Sequence, residues 1–149
     1  MAEGTNTSSL SALDEKDCWA LLASQQVGRL VVIDGTRPDI FPVNYLVDDG
    51  EIVVRTAEGT KLAAAIMIGE VAFEIDEINA DTQTGWSVVV HGTARESHTL
   101  ADAMHDDEID PEPWASGEKA RTIHIAPTDI SGRTLQPDHQ QPDDSEDLT

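Results

Sequence analysis

The sequence predicts a mainly β, antiparallel barrel with short flanking helices, and three observations carry that prediction. Six short runs rich in β-branched residues alternate apolar with polar positions. Turn-forming pairs such as Asp34-Gly35, Asp49-Gly50 and Ser131-Gly132 fall at the ends of these runs or within the last of them. No regular strand-helix-strand crossover is present, which argues against a doubly wound parallel sheet. At 149 residues the chain is long enough to bury one core without disulfides or metals.

Taken in order, residues 1–9 are small and polar and are expected to be disordered. Residues 14–28 have helical spacing: Cys18, Leu21 and Leu22 share a face, Asp14 can cap the start and Gly28 suits the exit. Residues 28–33 and 39–47 form a predicted hairpin, in which Pro42 implies an edge position or a bulge. Residues 51–56 then make a third strand of a tight meander. The period changes in GTKLAAAIMIG, residues 59–69, predicting a short helix that stops at Gly69. Residues 70–77 and 86–96 predict two further strands, residues 99–110 are weakly helical, and residues 121–135 close the domain. The barrel therefore spans residues 10–135, with residues 136–149 an acidic, proline-containing tail expected to be disordered.

Nine Lys and Arg stand against twenty-nine Asp and Glu, a formal charge of -20. Such a surface repels nucleic-acid backbones and anionic membranes, so neither is an expected partner. Cys18 is the single cysteine, which excludes an intrachain disulfide and a C-x-x-C pair and points to a reducing compartment. The first residues lack a signal-peptide pattern and no apolar run is long enough to cross a bilayer, so a cytoplasmic location is expected.

In so acidic a chain, an anionic ligand is held only where cations gather. The segment Arg55-Thr56-Ala57-Glu58-Gly59-Thr60-Lys61 joins a strand end, a glycine turn and a helix start. A helix N-terminus offers oriented amides, Arg55 bidentate donors, Lys61 a point charge and Thr60 a hydroxyl, which together suit a phosphate monoester. The competing reading makes Thr60 a helix cap and Arg55 and Lys61 solvated surface charges. The segment matches neither a Walker loop nor G-x-G-x-x-G.

Its company shifts the balance between these readings. The order P-x-I-x-P-V-N-Y, then I-V-V-R-T-x-x-G-T-K-L, then V-A-F-E-I-D, then G-W-S-V-V-V-H-G resembles the pyridoxamine 5'-phosphate oxidase-like flavin-binding proteins, over about residues 13–135. The resemblance implies a six-stranded split barrel, the FMN-binding split barrel, forming a homodimer with two flavin mononucleotides at its interface and both chains in each site. It implies that backbone groups of Val43, Asn44 and Tyr45 lie along the isoalloxazine and that Arg55, Thr56, Thr60 and Lys61 grip the phosphate. It also implies that Trp86 and Ser87 approach the cofactor. On the residues alone, Trp86 equally suits a core position, Asn44 can satisfy a bulge near Pro42, and Tyr45 can be barrel packing.

The function implied is an FMN-dependent oxidoreductase acting on a small molecule. A deazaflavin-coenzyme-dependent reductase and a non-catalytic flavin-binding or sensing protein are the alternatives. Few cations remain after Arg55 and Lys61 to hold the phosphate of a second ligand, which argues against vitamin B6 as substrate. No pair of the five histidines has metal-ligand spacing, His91 reads as a polar barrel residue, and no serine lies in a hydrolase motif. Catalytic side chains are not assigned, and the acidic alternation of EVAFEIDE reads as a solvated sheet face.

Overall fold

The computed structural model describes residues 8–56, 69–97 and 121–137. Seven strands and one helix follow in the order β1 (Ser8–Leu13), α1 (Glu15–Ser24), β2 (Val27–Asp34), β3 (Arg37–Asp48), β4 (Glu51–Thr56), β5 (Glu70–Asn79), β6 (Thr84–Glu96) and β7 (Arg121–Pro137). All pairings are antiparallel. Six strands close on themselves in the order β2, β3, β4, β7, β6, β5 and back to β2. This ring is the expected six-stranded barrel.

β7 makes closure possible. One edge pairs with β6 from Ile123 to Leu135, while the other pairs first with β4 and then, from Gly132 onward, with β1. β1 is thus a seventh strand, added along β7 past the start of β4. Ser8, Ser9, Gln136 and Pro137, expected outside the barrel, pair here as strand ends. The signal is weak in sequence because Ser8–Leu13 reads SSLSAL and its Leu10 remains 58% exposed. The rest of both termini, and the helices expected at 59–68 and 99–110, lie outside the described residues.

Local chemistry explains most element ends. Asp14 Oδ1 accepts from Asp17 N at 2.9 Å, the expected N-cap, and Glu15 and Asp17 suit the positive end of the helix dipole. The helix stops at Ser24 rather than continuing toward Gly28. Its orphan carbonyls are taken by side chains: Ser24 Oγ donates to Leu21 O at 2.7 Å and Tyr45 Oη to Leu22 O at 2.5 Å. β2 then begins, with Val27 opposite Asn44. The Asp49-Gly50 loop has φ of 52° and 74°, positive at both central positions as a type I′ hairpin requires. Pro42 sits in the half of β3 that pairs with β2 alone, because pairing with β4 begins only at Asn44.

Alternation sends Leu30, Val43, Tyr45, Val54, Phe73 and Ile75, among others, into one buried core, with Cys18 and Leu22 closing an end. Gly28 belongs to this packing rather than to a helix exit. A Cβ there would run into the Phe73 ring, 2.8 Å from Cε1 and closer still to Cζ. The ring cannot retreat because it packs edge-on against Tyr45, centroids 4.8 Å apart. Gly28→Ala is therefore expected to destabilise the fold by about 1–3 kcal/mol. Urea denaturation checks this, and Phe73→Leu in the same background should recover part of the loss.

Candidate functional site

The register of β3, β4 and β7 places Asn44, Arg55 and Thr122 side by side in one row. Their neighbours Val43, Tyr45, Val54 and Ile123 point into the core, so this row stands on the outer face of the barrel. Ser97 extends the row beyond β6, its amide donating to Thr122 O at 3.2 Å. Arg55 is half-buried in this row, and Thr56, at the end of β4, pairs with Arg121. The chain leaves β4 here toward residues 57–61. Thr60 and Lys61 lie outside the described residues.

Val43 and Tyr45 are 5% and 2% exposed, so their side chains build the core while Asn44 between them faces out. Tyr45 is barrel packing, and its hydroxyl also ties β3 to the end of α1. Burial pushes its phenol well above the ordinary tyrosine value, only partly offset by the charge of Arg29. Trp86 also packs against the core, whereas Ser87, next along β6, is half-buried opposite Asp76 and Arg133. In the ring, β6 and β3 are three places apart, so no strand pairing sets Trp86 or Ser87 beside Asn44 or Arg55. Helix α1 relates the two sides instead: Leu22 meets Tyr45, and Cys18 Sγ fills the space left by Gly132, which pairs with Val88 beside Ser87.

Two charged groups escaped the sequence reading. On the acidic face of β5, Arg29 Nη2 lies 2.7 Å from Glu74 Oε1 and 2.8 Å from Asp76 Oδ2. Burial, reinforced by the Asp76 contact, pushes Glu74 above the usual carboxylate range despite Arg29. Asp76, accepting from Glu74 and facing Arg29, is held below that range. This is a cross-strand ion cluster rather than a plain solvated face. The second group is Glu51, Arg95, Ser97 and His124. Glu51 Oε1 is 3.0 Å from Arg95 Nη2 and 3.4 Å from His124 Nδ1, and Ser97 Oγ is 3.0 Å from His124 Nε2. Only strand register reveals it, since its members come from β4, β6, the residue after β6, and β7.

The model of the pyridoxamine 5'-phosphate oxidase family matches residues 14–134. The chain belongs to this family. A family relative from Mycobacterium tuberculosis, an uncharacterized protein, is 32% identical over 135 residues, covering 87% of this chain and 88% of its own. Among solved structures, a Corynebacterium glutamicum protein provisionally named a pyridoxamine 5'-phosphate oxidase is 38% identical, with a TM-score of 0.75 over 86% of this chain and 99% of that one. An FAD binding protein of Mycobacterium smegmatis is 36% identical, with a TM-score of 0.70 over 83% and 98%. The split-barrel fold of this family is the ring described above.

Tyr45 generates a prediction with a definite sign. In the unfolded chain the phenol ionises near about pH 10, while the folded chain keeps its proton to higher pH. The unfolded state then binds fewer protons, so this tyrosine's contribution to stability is intact below about pH 10 and is lost as pH rises beyond it. Tyr45→Phe should cost about 1 kcal/mol at neutral pH by stranding Leu22 O. Urea unfolding at neutral and alkaline pH should show the gap between wild type and variant narrowing above about pH 10.

Proposed function

We propose that this chain binds a flavin nucleotide and moves a hydride or electron pair between the flavin and a small molecule. The observation that carries the reading is the outward row of Asn44, Arg55 and Thr122 at the β4 terminus, in a chain where cations are scarce. A guanidinium, an amide and a hydroxyl are the donor set a phosphate group needs, and Arg55 precedes Thr60 and Lys61 by only a few residues in sequence. The residues present thus fit the phosphate end of the nucleotide. Arg55, Thr56, Thr60 and Lys61 would hold the phosphate. The backbone of Val43, Asn44 and Tyr45 would run along the ring, with Ser87 and the β6 end at Trp86 completing the enclosure.

A bound flavin supplies the two-electron chemistry; the protein's part is to bind, orient and exclude water. FMN is the nucleotide we assign first. FAD is the second reading, favoured by the 36% identical Mycobacterium smegmatis relative that is an FAD binding protein. We further propose a cytoplasmic homodimer in which each site draws on both chains. The separation of Trp86 and Ser87 from Asn44 and Arg55 around the ring supports a shared site.

Visible spectra of the purified protein with FMN or FAD, together with chromatography of any flavin released on denaturation, test cofactor and nucleotide form. Retained flavin absorbance that is lost in Arg55→Ala and Lys61→Ala, with affinity at least about tenfold weaker in each, is the expected outcome. Failure to bind either nucleotide would overturn the reading. Light scattering should give twice the chain mass; a monomer at micromolar concentration would remove the shared site. Bleaching of the bound flavin by a nicotinamide donor, followed by reoxidation by an acceptor, separates an oxidoreductase from a binding protein without turnover.

A further inference from the structure

Arg29 keeps donors to spare. Its Nε and Nη2 lie 3.1 and 2.7 Å from Glu74 Oε1, and Nη2 is also 2.8 Å from Asp76 Oδ2. A guanidinium carries five N–H donors in a fixed fork. Nη1, with two of them, meets no group among the described residues, and the side chain is 33% exposed. The outer face of β2 and β5 thus sets unused donors beside the acceptor oxygens of Asp76.

Strand register ties this cluster to Arg55. On the outer face Arg29 stands opposite Pro42 of β3, and the next outward residue of β3, Asn44, stands opposite Val27 on one side and Arg55 on the other. Arg29 and Arg55 are therefore two strand spacings apart, about 10 Å, and offset by two residues, about 7 Å. Val27, Pro42 and Asn44 lie between them, uncharged and at least partly exposed. In a chain carrying -20, two arginines flank a floor of uncharged residues. A flavin nucleotide is two-ended in the same way: a phosphate at one end and, beyond the ribityl chain and ring, an imide edge whose N–H sits between two carbonyl oxygens. We propose that Arg29 and Asp76 read the imide edge of the flavin ring, Arg29 donating through Nη1 to a ring carbonyl and Asp76 accepting from the ring N–H. The proposal rests on the flavin-nucleotide reading above and adds to it a group that recognises the ring. Val27 and Pro42 give the ring an apolar surface between the two ends. Asp76 rather than Glu74 is the acceptor, because its hydrogen bond with Glu74 and the charge of Arg29 hold its carboxyl below the usual range, whereas burial holds Glu74 above it.

The test compares the affinity of the nucleotide that binds, FMN or FAD, with that of its form methylated at the imide nitrogen, which lacks the ring N–H, and with that of riboflavin, which lacks the phosphate. Flavin fluorescence titration of the full chain reads all three. In wild type, methylation should weaken binding about tenfold, the loss of one hydrogen bond to a carboxylate. That discrimination should shrink in Asp76→Ala while the preference for the nucleotide over riboflavin stays; Arg55→Ala should show the reverse. Arg29→Gln removes a positive charge that favours the reduced ring, so the reduction potential of the bound flavin should move to more negative values. Equal binding of the methylated and unmethylated nucleotides by wild type, with binding still dependent on Arg55, would overturn this proposal alone. Discrimination that persists undiminished in Asp76→Ala, or a potential unchanged in Arg29→Gln, would do the same. Absence of nucleotide binding in wild type would overturn it together with the reading it rests on.

Discussion

Barrel closure through β7 is the constraint on which the other features depend. A strand of 17 residues has to bend to serve β6 on one edge and two successive partners on the other. The bend is placed at the register shift between His91 and Gly92, where a Cβ on Gly92 would collide with the carbonyl of Ala126, 3.0 Å from its carbon and closer to its oxygen. A glycine in a strand costs entropy, and here that cost is offset by the close backbone approach it permits. On the β4 side of the bulge, the pairing sets Arg55 beside Thr122 and His124 beside Arg95. The row of Asn44, Arg55 and Thr122 and the buried histidine are both products of that one register.

Much of this was legible in the sequence, and the rest was hidden for identifiable reasons. The alternation in residues 70–77 and 86–96, the Asp-Gly turns and the Asp14 cap act over a few residues, and the structure follows them. β1 escaped because its stability comes from the far end of the chain, through pairs such as Leu10 with Leu135, and not from its own composition. The helix ends earlier than its spacing suggests because Tyr45, from a later strand, takes a carbonyl that no local residue was positioned to take. Gly28 looked like a terminator because its partner in packing, Phe73, lies far along the chain on β5. Asn44 and Arg55 were recognisable as a pair only through a family resemblance, and the Ser97–His124–Glu51 contacts carry no local signature at all.

Electrostatics limits where an anion could be held. Arg29 is tied to Glu74 and Asp76, and Arg95 to Glu51, so two of the few cations are committed to carboxylates of the chain itself. Against a background of -20, the row holding Arg55 is where an anion would be held under the reading proposed above.

Val43 and Tyr45 face the core while Asn44 between them faces outward, and the same alternation runs through Ile52, Val54 and their neighbours Val53 and Arg55. Folding and ligand choice are thereby written on separate letters of the same words. Exposure limits that separation: Val53, outward by alternation, is 0% exposed and belongs with the positions that hold the barrel. A designer wishing to alter what this scaffold binds would work at half-buried outward positions such as Asn44 and leave the buried ones, Val53 included, untouched.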